Sequence, residues 1–249
     1  MPTTLILTCE HAVNEIPARC RHLFRASEEV LFTHKAIDFG ALQLAQYLAA
    51  ELGLALYYSC VSRLLVEANR SPENEELFSA YTQGLLPEKK KQVLGTYYFP
   101  HRLQVEEAVG KEIAVGNQVV HFAIHSFTPA MDGEVRKADI GILFDPKRKS
   151  EKALAILYKS GLLLQDPNLK VQYNAPYPGT ADGLPSHLRK LFLDEHYAGF
   201  ELEVNQRFYL NGETEVWQNL MKAVTSAFRI SVMEMNKNPV AAKQAKNKK

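Results

Sequence analysis

Chemically capable residues stand where short apolar runs stop. Cys9-Glu10-His11 follows the run ending at Thr8, and His125-Ser126 closes the run from Gln118 to Ile124. Glu201 and Glu203 lie in Phe-Glu-Leu-Glu-Val, and Ser62-Arg63 is followed by Asn69-Arg70. Two imidazoles with one or two carboxylates suit a catalytic zinc, which takes three protein ligands and leaves a position for water. Such an ion brings the pKa of water toward neutrality and polarises a carbonyl oxygen. A free carboxylate could then accept the water's proton and pass it to a departing nitrogen. An Asn-Arg pair could clamp a substrate carboxylate, because a guanidinium matches its fork. Each group also has a plainer reading. A histidine at a strand end is often a satisfied hydrogen-bonder, and Asn69-Arg70 can be a turn with a solvated arginine. Glu201 and Glu203 share a strand face and can be a polar edge.

The elements that must position these groups alternate in type. Thr3 to Thr8 reads as a buried strand. Apolar residues at Ala41, Leu44, Ala45, Leu48 and Leu52 predict a helix from Ile37, with Asp38 in its first turn and Gly53 stopping it. Leu54–Ser59 reads as a strand, 71–91 as polar loop with short helix, and Pro100–Ala114 as a helix with proline in its first turn. Strands at Gln118–Ile124, Ala138–Phe144, Lys170–Tyr173 and Gly199–Asn205 are interleaved with helices at Ser150–Leu163 and Glu213 to about Met233. This alternation predicts an α/β fold with a central mixed, largely parallel sheet flanked by helices. In such sheets ligands bind beyond the carboxyl ends of the strands.

Composition excludes other classes. The chain has 249 residues, and a formal net charge of +1 gives no field that would draw nucleic acid or anionic lipid. Cys9, Cys20 and Cys60 form no disulfide framework, which points to reduced thiols. The N-terminus lacks a basic segment ahead of its short apolar run, and no stretch approaches the ~20 apolar residues of a membrane span. A cytoplasmic location is the expectation. No GxSxG, Walker-type or GxGxxG sequence is present. Residues 1–235 are expected to form a single domain, with 236–249 a lysine-rich disordered tail.

An ordered series of motifs resembles the N-formylglutamate amidohydrolase family. Cys-Glu-His-Ala-Val-Asn-Glu-Ile-Pro at 9–17 is similar to its opening motif, and Asp38 to its aspartate ahead of the next helix. Ser62-Arg63 with Asn69-Arg70, His125-Ser126-Phe127-Thr128-Pro129, and Ala138-Asp139-Ile140-Gly141 to Asp145 follow in order. Asn174-Ala175-Pro176-Tyr177 and Glu201-Leu202-Glu203-Val204 complete the series. The resemblance implies a zinc-exopeptidase-like fold, related to zinc carboxypeptidases and aspartoacylases, with Zn2+ or another divalent metal at the strand ends. It implies His11 and His125 as ligands, Asn69 and Arg70 on the substrate carboxylate, and Glu203 as general base, with Glu201 in reserve. Arg63 and Tyr177 are further candidates for substrate contact. The implied substrate is a small N-acyl amino acid, N-formylglutamate first.

Two departures qualify this. Asn14 stands where the carboxypeptidase HxxE spacing would place a ligand, so the third ligand falls to Asp38, Glu10 or Glu15, with Asp38 preferred. Glu67 stands where related sequences often carry aspartate, which bears on the surroundings of the ligands. The alternatives are a deacylase for another N-acyl amino acid, a small-peptide carboxypeptidase, or a family member that binds a ligand without catalysis.

Overall fold

A computed structural model describes residues 2–237. Six strands form one sheet in the order β2-β1-β3-β8-β6-β7. They are β1 (Thr3–Cys9), β2 (Leu56–Tyr58), β3 (Gln118–Phe127), β6 (Ile140–Leu143), β7 (Val171–Tyr173) and β8 (Tyr197–Asn205). A small hairpin, β4 (Ala130–Met131) and β5 (Glu134–Val135), stands apart from it. Only β6 and β8 pair antiparallel; the other neighbours in the sheet are parallel. The expected mixed, largely parallel sheet is what the chain builds.

The two faces of the sheet are written in the alternation of its strands. Leu7 and Cys9 on β1, Val120, Phe122 and Ile124 on β3, and Ala198, Phe200, Leu202 and Val204 on β8 pack into the main core. That core is completed by α1 (Ala41–Leu52), α4 (Lys149–Gln165) and α7 (Thr214–Lys237). The intervening residues face the other side, where α3 (Phe99–Ala114) and α5 (Leu184–Leu191) cover Ile6, Val119 and Tyr197. Toward the strand ends this second face turns polar, through Thr8, His121 and Glu10 to His125, Glu201 and Glu203. Register fixes the neighbours: His125 pairs with Glu203, and Glu203 with Gly141. A one-residue slip would send all of these into the apolar core.

A satellite core lies beyond the strand ends. It packs Ile16, Cys20 and Phe24 against Leu64, Leu65, Leu77, Val93 and Tyr98. Its segments are irregular: 3-10 helices at Ala18–Phe24, Glu28–Phe32 and Glu75–Leu77, then α2 (Pro87–Val93).

Several expected boundaries move. The first helix begins at Ala41 rather than Ile37, because Gly40 sits at φ +82°, and Asp38 therefore lies in the loop ahead of it. β3 runs on to Phe127, so His125 stands inside the strand rather than past it. A π-turn at Leu94–Tyr98 joins α2 to α3. It absorbs Pro100, whose missing N–H would interrupt a continuous α-helix. α5 and the short α6 (Arg207–Leu210) were not expected. α7 extends to Lys237, into the span expected as tail, and the rest of that span lies outside the described residues.

Candidate metal centre

His11, Asp38 and His125 converge although 114 positions separate the first from the last. The loop after β1 carries His11, whose carbonyl accepts the backbone N–H of Asp38 at 3.1 Å. Asp38 Oδ2 lies 3.1 Å from His11 Nδ1 and 3.0 Å from His125 Nδ1, and the two Nδ1 atoms are 3.2 Å apart. All three residues are buried, and one ligand atom from each lies within 4.8 Å of the others. Among the described residues this is the only such group of three found.

The chemistry of the donor set fits a divalent cation. His11 Nε2 lies 2.6 Å from Glu67 Oε1, and a guanidinium nitrogen of Arg63, which can only donate, lies 3.2 Å from His11 Nδ1. Together these contacts put the imidazole proton on Nε2 and the lone pair on Nδ1, facing Asp38. At His125 the carboxylate stands at ion-pair distance without a hydrogen bond, with Nε2 3.1 Å from Glu10 Oε2, while Nδ1 lies 3.0 Å from Asp38 Oδ2. Carboxylates behind ligand imidazoles are the usual means of fixing tautomer and basicity in metal sites.

The electrostatics agree. Burial and Arg63 work against a charged His11, yet Glu67 and Asp38 hold its pKa above the ordinary value. Burial is likewise overcome at His125, which Asp38 and Glu10 push well above it. Burial opposes ionisation of Asp38, Glu67 and Glu10 as well. The histidines hold Asp38 low, Arg63 and His11 hold Glu67 low, and His101 and His125 hold Glu10 low. A point where carboxylates draw positive charge onto two buried imidazoles is a point that favours a cation.

Of the candidate third ligands, Asp38 is the one that reaches the centre. Glu10 is fully buried behind His125, its Oε1 3.4 Å from His101 Nε2 on α3. Glu15 is exposed and is not among the three residues that come together. Asn14 donates to the Leu31 carbonyl at 2.9 Å and holds the loop.

The remaining candidates surround this centre unequally. Glu203 is buried and its Oε2 has no hydrogen-bond partner. Burial, with Asp38 and Glu201 adding to it against His125, raises its pKa to about 8. Glu201 instead accepts from Asn69 Nδ2 at 2.7 Å. Asn69 Oδ1 accepts the Leu184 N–H at 2.8 Å, so this side chain ties the 61–70 segment to both α5 and β8. Arg70 Nη1 donates to the Asp182 carbonyl at 2.8 Å. Arg63 is paired with Glu67 at 2.6 Å and stands 3.7 Å from Asp38. Tyr177 is 40% exposed, with its hydroxyl accepting from Arg136 at 3.0 Å. Cys9 is buried, and burial pushes its thiol pKa well up, which suits a packing role.

Sequence reasoning missed the supporting set. Arg102 on α3 donates to the carbonyls of Ala68 and Arg70 at 3.0 and 3.2 Å, holding the Asn69–Arg70 turn. Asp182 Oδ2 receives Ser71 N, Ser71 Oγ and Asn74 Nδ2 at 2.8–2.9 Å. These partners are separated by 32 to 111 positions, and no local spacing announces them.

No curated protein matches the chain. Among solved structures, a gene product of Agrobacterium tumefaciens matches with TM-score 0.75 at 28% identity, over 90% of each chain. The N-formylglutamate amidohydrolase from Ralstonia eutropha JMP134 matches with TM-score 0.64 at 17% identity, over 91% of this chain and 92% of that one, a likeness of fold. The family model for N-formylglutamate amidohydrolase matches residues 3–210, a span that holds every residue of the centre, and the chain belongs to that family.

Proposed function

We propose that this protein hydrolyses the amide bond of a small N-acyl amino acid, N-formylglutamate first, giving glutamate and formate. The observation that carries the reading is Glu203: a buried carboxyl with an unpartnered oxygen, set by register beside a ligand histidine. Its pKa of about 8 suits a group that takes and returns a proton near neutrality.

In this reading His11, Asp38 and His125 hold a divalent cation, zinc by the nature of the donors, through two nitrogens and one oxygen. The cation supplies Lewis acidity toward the amide carbonyl and the attacking water. Glu203 accepts the proton of that water and delivers it to the leaving nitrogen. Arg70 and the Asn69 turn hold the α-carboxylate, so that the scissile carbonyl is presented in one pose. Arg63, whose guanidinium faces His11 Nδ1, offers positive charge to the developing oxyanion. Tyr177 closes the rim. Residues 1–235 act as one catalytic unit, because the centre draws its groups from the loops after β1 and ahead of α1, from β3 and β8, and from the 61–70 segment.

Metal analysis together with N-formylglutamate turnover by wild type and Glu203→Gln tests this. Expected are one metal per chain in both proteins and a loss of kcat by roughly 100-fold or more in the variant, the scale of a general base. Full activity in Glu203→Gln removes Glu203 from its role. Absence of turnover by metal-loaded wild type overturns the reaction.

A further inference from the structure

Arg136 has no part in the scheme above, and its surroundings are unusual for an arginine near a surface. It leaves the β4–β5 hairpin with its backbone N–H bonded to the Pro129 carbonyl at 2.9 Å. The guanidinium lies over two rings, 5.6 Å from the centroid of Phe127 and 5.1 Å from that of Tyr177. Nη2 donates to the Tyr177 hydroxyl at 3.0 Å and also contacts Met131 Sδ. Nη1 is shielded from solvent with no hydrogen-bond partner. Among the described residues no carboxylate pairs with this cation. A guanidinium carries five N–H donors and is always charged, so a half-buried one that no carboxylate of the chain neutralises is a place for an anion from outside the chain.

The fold puts that arginine on the face of the sheet that carries the centre. Phe127 is two residues past His125 on β3, so both side chains leave the same face of the sheet. Tyr177 follows Ala175, whose carbonyl oxygen packs against Gly141, the register partner of Glu203. The Arg136–Tyr177 pair therefore stands on the β6 side of His125 and Glu203. Arg63, bound to Glu67 and close to His11, stands on the β1 side. With the α-carboxylate given to Arg70 and the oxyanion to Arg63, a substrate with a single carboxylate leaves Arg136 without a partner.

We propose that Arg136, steadied by Tyr177, binds a second, side-chain carboxylate of the substrate and selects N-acyl dicarboxylic amino acids over monocarboxylic ones. The proposal deepens the amidohydrolase reading and rests on it for the position of the scissile bond. The Phe127 and Tyr177 rings hold the guanidinium plane, and the half-buried cation, without a carboxylate of its own, is left to meet the substrate's.

The test compares N-formylglutamate with N-formylalanine in the zinc-loaded wild type, Arg136→Gln and Arg136→Lys. Arg136→Gln should raise KM for N-formylglutamate roughly 10- to 100-fold, the worth of a charge-assisted bond, with kcat little changed. KM for N-formylalanine should stay within about 2-fold of wild type, and Arg136→Lys should fall between for the dicarboxylic substrate. A parallel loss on both substrates, or on neither, overturns the proposal and leaves the reaction standing. Calorimetric titration with glutarate and with butyrate needs no turnover. Glutarate weakened by Arg136→Gln while butyrate is not supports the proposal even if neither formyl compound is hydrolysed, an outcome that would sink the reaction alone. Equal glutarate affinity in both proteins counts against it. Should Arg136→Gln fail to fold, Arg136→Lys carries the same comparison.

Discussion

At the scale of single residues, the identity of the atom behind each imidazole decides what the imidazole can do. Glu67 stands 2.6 Å behind His11 and Glu10 stands 3.1 Å behind His125. Both carboxylates are buried, so neither contact is diluted by water. Glu67 reaches His11 through Oε1 while holding Arg63 through Oε2. Replacing either glutamate by glutamine keeps the volume and removes the negative charge. We expect Glu67→Gln and Glu10→Gln each to weaken metal affinity by roughly 10- to 100-fold, the usual cost of losing such a partner. Competition against a chelating dye reads this without any turnover. Affinity within about 2-fold of wild type in both variants would show that the outer carboxylates do not act through the ligands.

At the scale of elements, β3 carries two histidines on one face with opposite fates. His125 is pushed toward its charged form, whereas His121 is buried between Thr8 Oγ1 at 2.9 Å and Tyr197 Oη at 2.8 Å. Burial lowers its pKa to about 4 from an ordinary 6.5. The sign follows from which state binds the proton first. Above about pH 6.5 neither folded nor unfolded chain is protonated there, and no stability is lost. As pH falls from about 6.5 to about 4 the unfolded chain takes the proton and the folded one resists. Stability drops over that window by at most about 3–4 kcal/mol, the full worth of lowering the pKa from 6.5 to about 4. Denaturant unfolding of the metal-free protein at pH 7 and pH 5 measures it. His121→Gln should lose some stability at pH 7 but show a flatter pH slope, and an unchanged slope would remove His121 as its source. Much of this element was readable beforehand. The apolar run from Gln118 to Ile124 and the alternation in Phe-Glu-Leu-Glu-Val gave the strands and the shared face of Glu201 and Glu203, whereas the register that sets His125 beside Glu203 came only with the fold. Asp38 was found as a ligand candidate, but its position ahead of the helix depends on the positive φ of Gly40, which side-chain periodicity does not encode. The 3-10 segments between 18 and 32 have no regular apolar period to reveal them. Pairings such as Glu67 with His11, or Arg136 with Tyr177, join residues brought together only by the closed sheet, and local pattern is silent about them.

At the scale of the whole molecule, the centre joins parts that otherwise hold separate cores. His125 and Asp38 adjoin the sheet and α1, which pack in the main core, while Glu67 belongs to the 61–98 segment of the satellite core. His11 bridges them through its two ring nitrogens, one to Asp38 and one to Glu67. A cation bound at this junction adds its binding free energy to the folded state, because the unfolded chain has no such site. At a free metal concentration about 1,000 times Kd the gain is about 4 kcal/mol, and each kcal/mol moves Tm by about 2–4 °C at this size. Removing the metal with a chelator at pH 7.5 should therefore lower Tm by roughly 8–16 °C. The loss should also be local. Hydrogen exchange should accelerate around 9–12, 36–40 and 61–70, and stay slow in α4 and α7, whose Leu154, Tyr158, Val224 and Phe228 pack away from the centre. A uniform acceleration would mean that the metal supports the main core as well as the junction. An unchanged Tm in protein shown to have carried metal before treatment would mean that the three ligands hold their geometry by packing alone. In that case the outer carboxylates serve to keep the imidazoles charged and in place, and the cation is a visitor to a site already built.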